Sequence, residues 1–380
     1  MKNKIYFDNA STTPLLPEVA DLMSKISLEN YGNPSSIHSF GRSSRTIIEQ
    51  ARKKISKIIN ASLGEIFFTS SATEANNTIL KRAIKDLGVQ RFISSPTEHH
   101  CIIHSLDSIA KENNTIEVQY LNVNNAGVID LDQLEVLLSD GKKSMVSIMY
   151  GNNELGNFQP IDQISQLCVK YQAYFHCDAV QVAGKYEIDV QSIYFSFLTA
   201  TAHKFHGPKG VGFFYMNSQN IISPYIHGGA QERNMRAGTE NIAAIAGMSL
   251  ALDMASSQMH DRKEKVLKLK EFFESRVLNE LKDIIIHATA VPRLYHISSI
   301  SFPDTPSADM LTLNLDIAGV AVSSGSACSA GIEEDSHVLV AIGHEPKRKT
   351  TRFSFSYMNT MTEVDMVVNI LKKLSPSNDV

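Results

Sequence analysis

Short apolar runs, each long enough for one β-strand, recur in the first 215 residues of this 380-residue chain, and helix-length segments separate most of them. The runs lie at 66–68, 92–94, 146–149, 174–177 and 211–215. This alternation is typical of an α/β domain with a mostly parallel sheet. Ligands of such sheets bind at the carboxyl ends of the strands, on the connecting loops.

A change in the pattern of apolar and charged residues near residue 257 predicts a second, smaller α+β domain. Residues 242–254 are apolar on nearly every side and predict a buried helix, whereas 261–282 predict a charged amphipathic helix. Strand-like runs follow, and Thr362 is expected to cap a last helix. We therefore expect a large domain at 16–256. The small domain combines 1–15 with 257–380, and its strand-like runs are 284–287, 297–302 and 352–356.

The charge and the apolar content of the chain argue against two classes of function, nucleic-acid binding and membrane association. Hydrophobic residues make up 43% of the chain and charged residues 20%, which is ordinary globular usage. The 36 Lys and Arg against 40 Asp and Glu give a net charge of -4 with no basic block, so we expect no direct nucleic-acid binding. No apolar run approaches the length of a signal peptide or a membrane span, so we expect no membrane association.

The four cysteines are too sparse for a disulfide scaffold, and none forms a CxxC pair. A reducing compartment fits this usage, and we predict a cytoplasmic protein. Cys168 and Cys177 have the flanks of buried apolar fillers. Cys328 instead lies in Ser323-Ser-Gly-Ser-Ala-Cys-Ser-Ala-Gly, which predicts a mobile loop with an accessible thiol.

The stretch Thr199-Ala-Thr-Ala-His-Lys-Phe-His-Gly-Pro-Lys-Gly-Val-Gly carries hydroxyls, imidazoles, lysine and glycine, and predicts a loop between strands. Such a loop can bind phosphate and present an amine. A lysine with a lowered pKa can bind an aldehyde covalently, and Lys204 is the candidate. The alternative is an ordinary surface lysine.

Asp178 follows an apolar strand, 26 positions before Lys204. A carboxylate there could keep a pyridine nitrogen protonated, as pyridoxal phosphate requires for its role as an electron sink. The alternative is a helix cap. Upstream, Phe68-Thr-Ser-Ser-Ala-Thr-Glu-Ala-Asn-Asn runs from a strand into a helix whose first amides, with the Thr73 hydroxyl, could bind phosphate. The same letters also describe an ordinary helix N-terminus.

Together these motifs resemble fold type I pyridoxal-phosphate enzymes, and more narrowly the cysteine desulfurases of the NifS and IscS type. The resemblance covers essentially the whole chain in one order. The motifs that carry it are Tyr6-Phe-Asp-Asn-Ala-Ser-Thr-Thr-Pro, Tyr31-Gly-Asn-Pro-Ser-Ser, Thr97-Glu-His-His, Asn152-Asn-Glu-Leu-Gly, Asp178-Ala-Val-Gln, Ala202-His-Lys-Phe-His-Gly-Pro-Lys-Gly, Gly228-Gly-Ala-Gln-Glu-Arg, Arg236-Ala-Gly-Thr-Glu-Asn, Ser324-Gly-Ser-Ala-Cys-Ser and Arg352-Phe-Ser.

The resemblance implies an α/β fold of type I, a homodimer and a role for each matching residue. Lys204 would bind the aldehyde of pyridoxal phosphate, Asp178 would contact its ring nitrogen, and His99 would stack on the ring and move protons. The remaining cofactor and substrate contacts would come from Ala72, Thr73, Asn153, Gln181, Thr201 and His203, with Thr239 supplied by the neighbouring subunit.

Two pairs of histidines could have roles other than cofactor binding. His99 and His100, if on a strand, would point to opposite faces and could not share a metal, so we predict no metal site. His203 and His206 flank Lys204 and could both be ordinary loop histidines. Phosphate contact is favoured for His203, and His206 is left unassigned.

Arg352 begins a strand that alternates as Arg-Phe-Ser-Phe-Ser, the pattern of a half-buried edge strand. In the resembled family this arginine holds the substrate carboxylate, for which a guanidinium fork is suited. The alternative is a surface arginine near Lys347, Arg348 and Lys349, which read as a solvated charge run.

The resemblance implies conversion of L-cysteine to L-alanine, with the sulfur left on Cys328 as a persulfide. The sulfur would pass to an acceptor such as an iron-sulfur scaffold or a tRNA-thiolation protein. The alternatives are a selenocysteine lyase, another pyridoxal-phosphate aminotransferase or lyase, and a non-catalytic scaffold that keeps the fold.

Three departures from the family pattern bear on the site. Ser71 stands where glycine is common, which questions the local backbone near the phosphate. Thr201 replaces a usual serine but keeps the hydroxyl. Residues 355–360 read Phe-Ser-Tyr-Met-Asn-Thr where Leu-Gly-Arg or similar is expected, so contacts there are expected to differ.

Overall fold

The computed structural model describes residues 4–324 and 336–374. Within them, strands alternate with helices as the sequence predicts. The strands are β1 Ile5–Tyr6, β2 Ile66–Thr69, β3 Arg91–Ser94, β4 Glu117–Tyr120, β5 Ser144–Ser147, β6 Tyr174–Asp178, β7 Phe197–Thr201, β8 Gly212–Met216, β9 Ile285–Ile286, β10 Ile297–Phe302, β11 Val320–Ala321, β12 Ser323–Ser324 and β13 Lys349–Ser354. The helices are α1 Pro17–Glu29, α2 Ser39–Ile58, α3 Ala72–Leu87, α4 His100–Glu112, α5 Leu131–Leu138, α6 Ile161–Lys170, α7 Gln231–Asn234, α8 Ile242–Ser257, α9 Met259–Glu280, α10 Pro306–Asp309, α11 Leu311–Ile317, α12 His337–Ala341 and α13 Met361–Leu374.

Seven strands form the main sheet in the order β2-β8-β7-β6-β5-β3-β4. Strand β8 is antiparallel to both of its neighbours, and the other pairs are parallel. The predicted mostly parallel sheet is therefore confirmed. Strand β2 runs in the same direction as β7, so its carboxyl end lies at the same edge of the sheet as those of β3, β5, β6 and β7.

Side chains alternate between the two faces of this sheet, as strand geometry requires. Ile66 and Phe68 pack in one core with α2 and α8, whereas Phe67 packs in the other core with α3 and α4. Both faces are thus covered by helices, which explains why these strands read as continuous apolar runs.

Two strands of the main sheet were not predicted. Strand β4 is half-buried along its whole length at the sheet edge, and its residues mix polar with apolar types. Strand β7 ends at Thr201, within the stretch that the sequence analysis assigned to a loop. Threonine favours strands, but the threonine hydroxyls close to Lys204 in the sequence were interpreted as phosphate ligands, so the stretch was predicted to be a loop.

A second core surrounds the antiparallel sheet β12-β13-β10-β9 and joins the first residues of the chain to the last. It contains Ile5 and Phe7 together with apolar residues of α9 and α13. The exact division at residue 256 stays a prediction. None of the helices in the described part of the chain combines the length and apolarity that crossing a bilayer requires.

Two local expectations in this region were wrong. Helix α13 begins at Met361, and its cap is Thr360, whose hydroxyl accepts from the Glu363 amide at 3.2 Å while the Glu363 carboxylate accepts from the Thr360 amide. The predicted cap, Thr362, already lies inside the helix. Arg348 is not part of a solvated charge run, because it is buried and donates to both carboxylate oxygens of Asp283.

A buried ion pair ties helix α2 to the turn of α7. Arg52 donates to both carboxylate oxygens of Glu232 at 2.8 and 2.9 Å, and the Arg52 and Glu232 side chains are 0% and 2% exposed. Arg52 also donates to the Ile66 carbonyl, and Glu232 accepts from the Phe68 amide. The pair therefore connects α2, β2 and the 230–234 turn.

We expect Arg52→Ala to destabilise the protein by about 3–5 kcal/mol, because it leaves the Glu232 carboxylate buried without its partner. The matched control is Lys54→Ala on the same helix, which removes an exposed pair with Asp253 and should cost about 1 kcal/mol or less. Urea unfolding followed by tyrosine fluorescence measures both, since the chain has no tryptophan. Equal midpoints for the two variants would contradict the prediction.

Candidate active site

The carboxyl ends of four strands of the main sheet meet beside one cavity of about 340 Å³. Helix α3 begins shortly after β2, α4 begins shortly after β3, and β6 and β7 end at Asp178 and Thr201. The cavity is lined by ten of the residues predicted for the site: Ala72, Thr73, His99, Asn153, Asp178, Gln181, Thr201, His203, Lys204 and Arg352.

The Lys204 amine is held by two backbone carbonyls from the start of the chain. Its Nζ donates to the Ala10 and Ser11 oxygens, both at 2.7 Å. Behind it, Lys185 donates to the Lys204 carbonyl at 2.7 Å, and burial, followed by the charge of Lys204, lowers the pKa of Lys185 to about 7. Lys204 is thus a fixed, half-buried amine that faces the cavity, and the surface-lysine alternative is wrong.

Asp178 and His99 both line this cavity. His99 caps helix α4, where its Nδ1 accepts from the Cys101 amide at 3.1 Å, so the pair His99-His100 does not lie on a strand as assumed. Burial lowers the pKa of His99 below its ordinary 6.5, and the Asp178 charge opposes that shift. His99 is therefore a neutral imidazole at neutral pH. No group of three or more candidate metal ligands occurs among the described residues.

Residues predicted to bind phosphate lie at the N-terminus of α3. Ser71 takes an extended backbone with φ −171° and ψ 165°, so a residue other than glycine fits there without strain. Its hydroxyl accepts from the Glu74 amide and caps the helix. The first-turn residues Ala72 and Thr73 line the cavity, as does Thr201.

His203 also faces the cavity. Its Nδ1 contacts the Thr12 hydroxyl at 3.2 Å, and burial lowers its pKa to about 4. His206 points elsewhere, since its Nδ1 contacts the Pro14 carbonyl at 2.9 Å and its ring packs on Tyr357. Only His203 of this pair is placed to contact a ligand in the cavity.

Arg352 is buried, so the surface-arginine alternative is wrong. Its strand β13 also lies between β12 and β10 and is not the edge strand that was predicted. The guanidinium donates to the Asn153 carbonyl at 2.8 Å and to Asp8 at 3.0 Å. Its Nε is buried without a hydrogen-bond partner, and Arg352 lines the cavity.

Gln181 links the cavity to the start of the chain and to a buried histidine. Its Nε2 donates to the Ala10 carbonyl at 3.0 Å, and its Oε1 faces His296 Nε2 at 3.2 Å. The segment that holds Lys204 is therefore itself fixed by a residue of the predicted site.

Several predicted features lie elsewhere. Thr239 is exposed and lines a different, small cavity near Arg236. Cys328 lies outside the described residues. None of residues 355–360 lines the cavity of about 340 Å³ that Lys204 faces. Asn359 instead accepts a hydrogen bond from the Ser356 amide and donates one to the Tyr6 carbonyl. The departures at 355–360 thus affect packing against the start of the chain.

Sequence reasoning missed Glu154, His337 and Asn76. Glu154 and His337 line the cavity, and Asn76 donates to Asp178. Glu154 belongs to the motif Asn152-Asn-Glu-Leu-Gly and Asn76 to the motif Phe68-Thr-Ser-Ser-Ala-Thr-Glu-Ala-Asn-Asn, but neither residue was assigned a role. His337 opens helix α12 outside every motif, so its chain neighbours carried no signal for a functional role.

Burial raises the pKa of Glu154 to about 7, while its hydrogen bond from Ser336 at 2.5 Å opposes the shift. A carboxyl whose folded pKa exceeds its ordinary value of 4.5 binds an extra proton in the native state between those two values. The parent protein should therefore lose stability relative to Glu154→Gln as pH rises from about 4.5 to about 7, by up to about 3 kcal/mol.

Urea unfolding of parent and Glu154→Gln at pH 5 and pH 8 measures this difference. Asp132→Asn, an exposed carboxyl of α5, serves as control and should show the same midpoint difference at both pH values. A Glu154→Gln difference that does not grow in favour of the variant between pH 5 and pH 8 would show that Glu154 titrates normally.

The residues around the cavity match the parts of pyridoxal phosphate in type. An amine, Lys204, is available for the aldehyde, and a carboxylate, Asp178, is available for a protonated ring nitrogen. A flat imidazole, His99, can lie on a ring, and a helix N-terminus with hydroxyls can bind a phosphate. This donor set fits the group.

Comparisons with known proteins agree with this chemistry. The family model described as Aminotransferase class-V matches residues 5–367. Cysteine desulfurase IscS of Dictyoglomus turgidum is 39% identical over 378 residues, which cover 98% of this chain and 95% of that protein. A solved structure titled NifS-like protein has a TM-score of 0.91 at 32% identity and covers 98% of this chain and 99% of its own. A structure titled SspA in complex with cysteine has a TM-score of 0.80 at 29% identity and covers 94% of this chain and 100% of its own.

Proposed function

Because the chain belongs to the Aminotransferase class-V family, we propose that it is a cysteine desulfurase that converts L-cysteine to L-alanine. Its cofactor is pyridoxal phosphate, and its fold is the predicted fold type I. The observation that carries the proposal is the single cavity that joins an amine, a carboxylate, an imidazole and an arginine: Lys204, Asp178, His99 and Arg352.

Nine residues that line the cavity would hold the cofactor. Lys204 would bind its aldehyde, Asp178 would contact its ring nitrogen, and His99 would stack on its ring. Its phosphate would be bound by Ala72, Thr73, Thr201 and His203, and its ring substituents by Gln181 and Asn153. When bound, pyridoxal phosphate supplies an electron sink for the substrate's α-carbon.

The chain's own groups then handle the substrate and its protons. Arg352, which lines the cavity, would bind the substrate carboxylate, while Asp8 and the Asn153 carbonyl hold its guanidinium in place. Lys204 would release the cofactor aldehyde to the substrate amine, and its Nζ would then be placed to take the substrate's α-proton. Neutral His99 can take or give a proton close to the ring.

Cys328 is proposed as the sulfur acceptor. Its thiolate attacks the substrate sulfur, a sulfur–sulfur bond forms, and the substrate's carbon–sulfur bond breaks with its electron pair going to the carbon skeleton. Protons complete that skeleton as alanine. Cysteine and one thiol thus give alanine and one persulfide, with atoms and electrons balanced.

The oligomeric state, the sulfur acceptor and the cellular location are also part of the proposed function. We propose a homodimer in which Thr239 of each subunit would reach the other's phosphate, supported by its exposure and by its absence from the lining of this chain's own cavity. Cys328 would pass its sulfur to an iron-sulfur scaffold or a tRNA-thiolation protein. The sparse cysteines support a reducing, cytoplasmic location.

The test is the product balance of the purified, cofactor-loaded protein with L-cysteine and dithiothreitol. Equal amounts of alanine and sulfide support the proposal. Pyruvate and ammonia, or a keto acid with an aminated acceptor, would show a lyase or aminotransferase instead. Alanine formed from L-selenocysteine but not from L-cysteine would show a selenocysteine lyase.

A further inference from the structure

The Asp178 carboxylate accepts hydrogen bonds on both oxygens. Oδ1 accepts from the Val180 amide at 3.0 Å, and Oδ2 accepts from the side-chain amide of Asn76 at 2.9 Å. Asn76 is fully buried, and Asp178 is 7% exposed. Two donors from different elements, the 178–182 turn and helix α3, therefore set the orientation of this carboxylate.

The amide of Asn76 can face Asp178 in only one way. Its Oδ1 accepts from the Thr199 hydroxyl at 2.7 Å and faces His176 Nε2 at 3.1 Å. A carboxamide oxygen has two acceptor sites, and these two groups fill both. The NH2 group remains for Asp178 and for the Cys101 sulfur at 3.2 Å.

The tautomer of His176 agrees with this assignment. Its Nδ1 lies 2.9 Å from the Ser147 hydroxyl, which can donate to it, and this arrangement leaves Nε2 able to carry the proton that points at Asn76. Burial lowers the pKa of His176 to about 3, so the ring is neutral. Thr199 and His176 are both 0% exposed, so water does not compete for these bonds.

We infer that Asn76, oriented by Thr199 and His176, is a positioning residue that holds the Asp178 carboxylate as the acceptor for the cofactor's ring nitrogen. The inference rests on the proposed contact between Asp178 and that nitrogen. The hydrogen bond from Asn76 fixes the direction of the Asp178 carboxylate.

Three titratable groups beside Asp178 have pKa values that are shifted against a second negative charge there. Burial, followed by the Asp178 charge, raises the pKa of Cys101 to about 12, and burial and Asp178 also raise the pKa values of Glu98 and Cys177. Each of these shifts disfavours a second negative charge beside Asp178. The amides of Asn76 and Val180 thus hold the carboxylate that would face the positive charge of the cofactor's ring nitrogen.

The test compares how tightly the apoprotein binds pyridoxal phosphate and its 1-deaza analogue, in which carbon replaces the ring nitrogen. The parent should bind pyridoxal phosphate more tightly, and Asn76→Ala should reduce that preference about tenfold or more. Thr199→Val keeps the shape of the side chain but loses the hydroxyl that orients Asn76, and should reduce the preference less.

Asn77→Ala is the matched control, because Asn77 is the next residue of α3 and contacts the Thr73 carbonyl and Ser105 instead of Asp178. Its effect should be equal for both cofactors, which leaves the preference unchanged. A purely structural role of Asn76 would likewise weaken both affinities equally and overturn the inference. A parent that shows no preference would overturn the proposed Asp178 contact and this inference with it. Thr199→Val keeps the test decisive if Asn76→Ala does not fold.

Discussion

Lys204→Ala is expected to slow alanine formation about 10³-fold or more, because the variant loses both the amine that binds the cofactor aldehyde and the group that moves the α-proton. General acid–base catalysis alone contributes about 10²–10⁴-fold. The measurement is alanine release from L-cysteine at saturating pyridoxal phosphate, so that weaker cofactor binding does not set the result.

Lys209→Ala is the control for this prediction. Lys209 lies in the same loop, five positions on, but its side chain is exposed and does not line the cavity. It should keep the parent rate. Borohydride treatment followed by mass spectrometry should fix cofactor mass on the parent and on Lys209→Ala, but not on Lys204→Ala. More than a tenth of parent activity in Lys204→Ala would exclude Lys204 as the catalytic amine.

Cys328→Ala is expected to reduce both alanine and sulfide at least about a hundredfold while cysteine binding is kept. The sulfur has no acceptor in this variant, although Lys204, Asp178 and Arg352 are intact. Addition of L-cysteine should therefore still change the cofactor's absorbance. A variant that releases sulfide at the parent rate would remove Cys328 from the mechanism.

The described thiols explain why the persulfide should form on Cys328. Burial raises the pKa of Cys101 to about 12 and also raises the pKa values of Cys168 and Cys177, so all three stay protonated. A protonated thiol is a poor nucleophile. Alkylation of the parent after one turnover, followed by peptide mass spectrometry, should find the extra sulfur on Cys328 alone, and Cys168→Ala should not change that result.

Much of the cavity lining was predictable because its chemical groups follow strands. Asp178 directly ends β6, and Ala72 and Thr73 open the helix that follows β2. In a parallel sheet such positions meet at one edge, so residues far apart in the chain converge without any knowledge of their contacts. The cofactor itself was predicted from a resemblance of motifs, which records chemistry as well as fold.

The surroundings of those groups were not predictable. The carbonyls that hold Lys204 come from Ala10 and Ser11, and Arg352 pairs with Asp8. Each of these contacts joins segments separated by most of the large domain or more. Local periodicity describes only near neighbours, so it carries no information about which loop packs against which.

The sequence by itself determined the alternation of strands and helices, the chemical groups available for catalysis and their order along the chain. Only the tertiary structure decided that Arg352 is buried on a central strand, that His99 caps a helix, and that Asn76 faces Asp178. The physical reason is that burial and hydrogen-bond partners depend on the packing of distant elements, whereas strand and helix patterns depend on side chains that are adjacent in the chain.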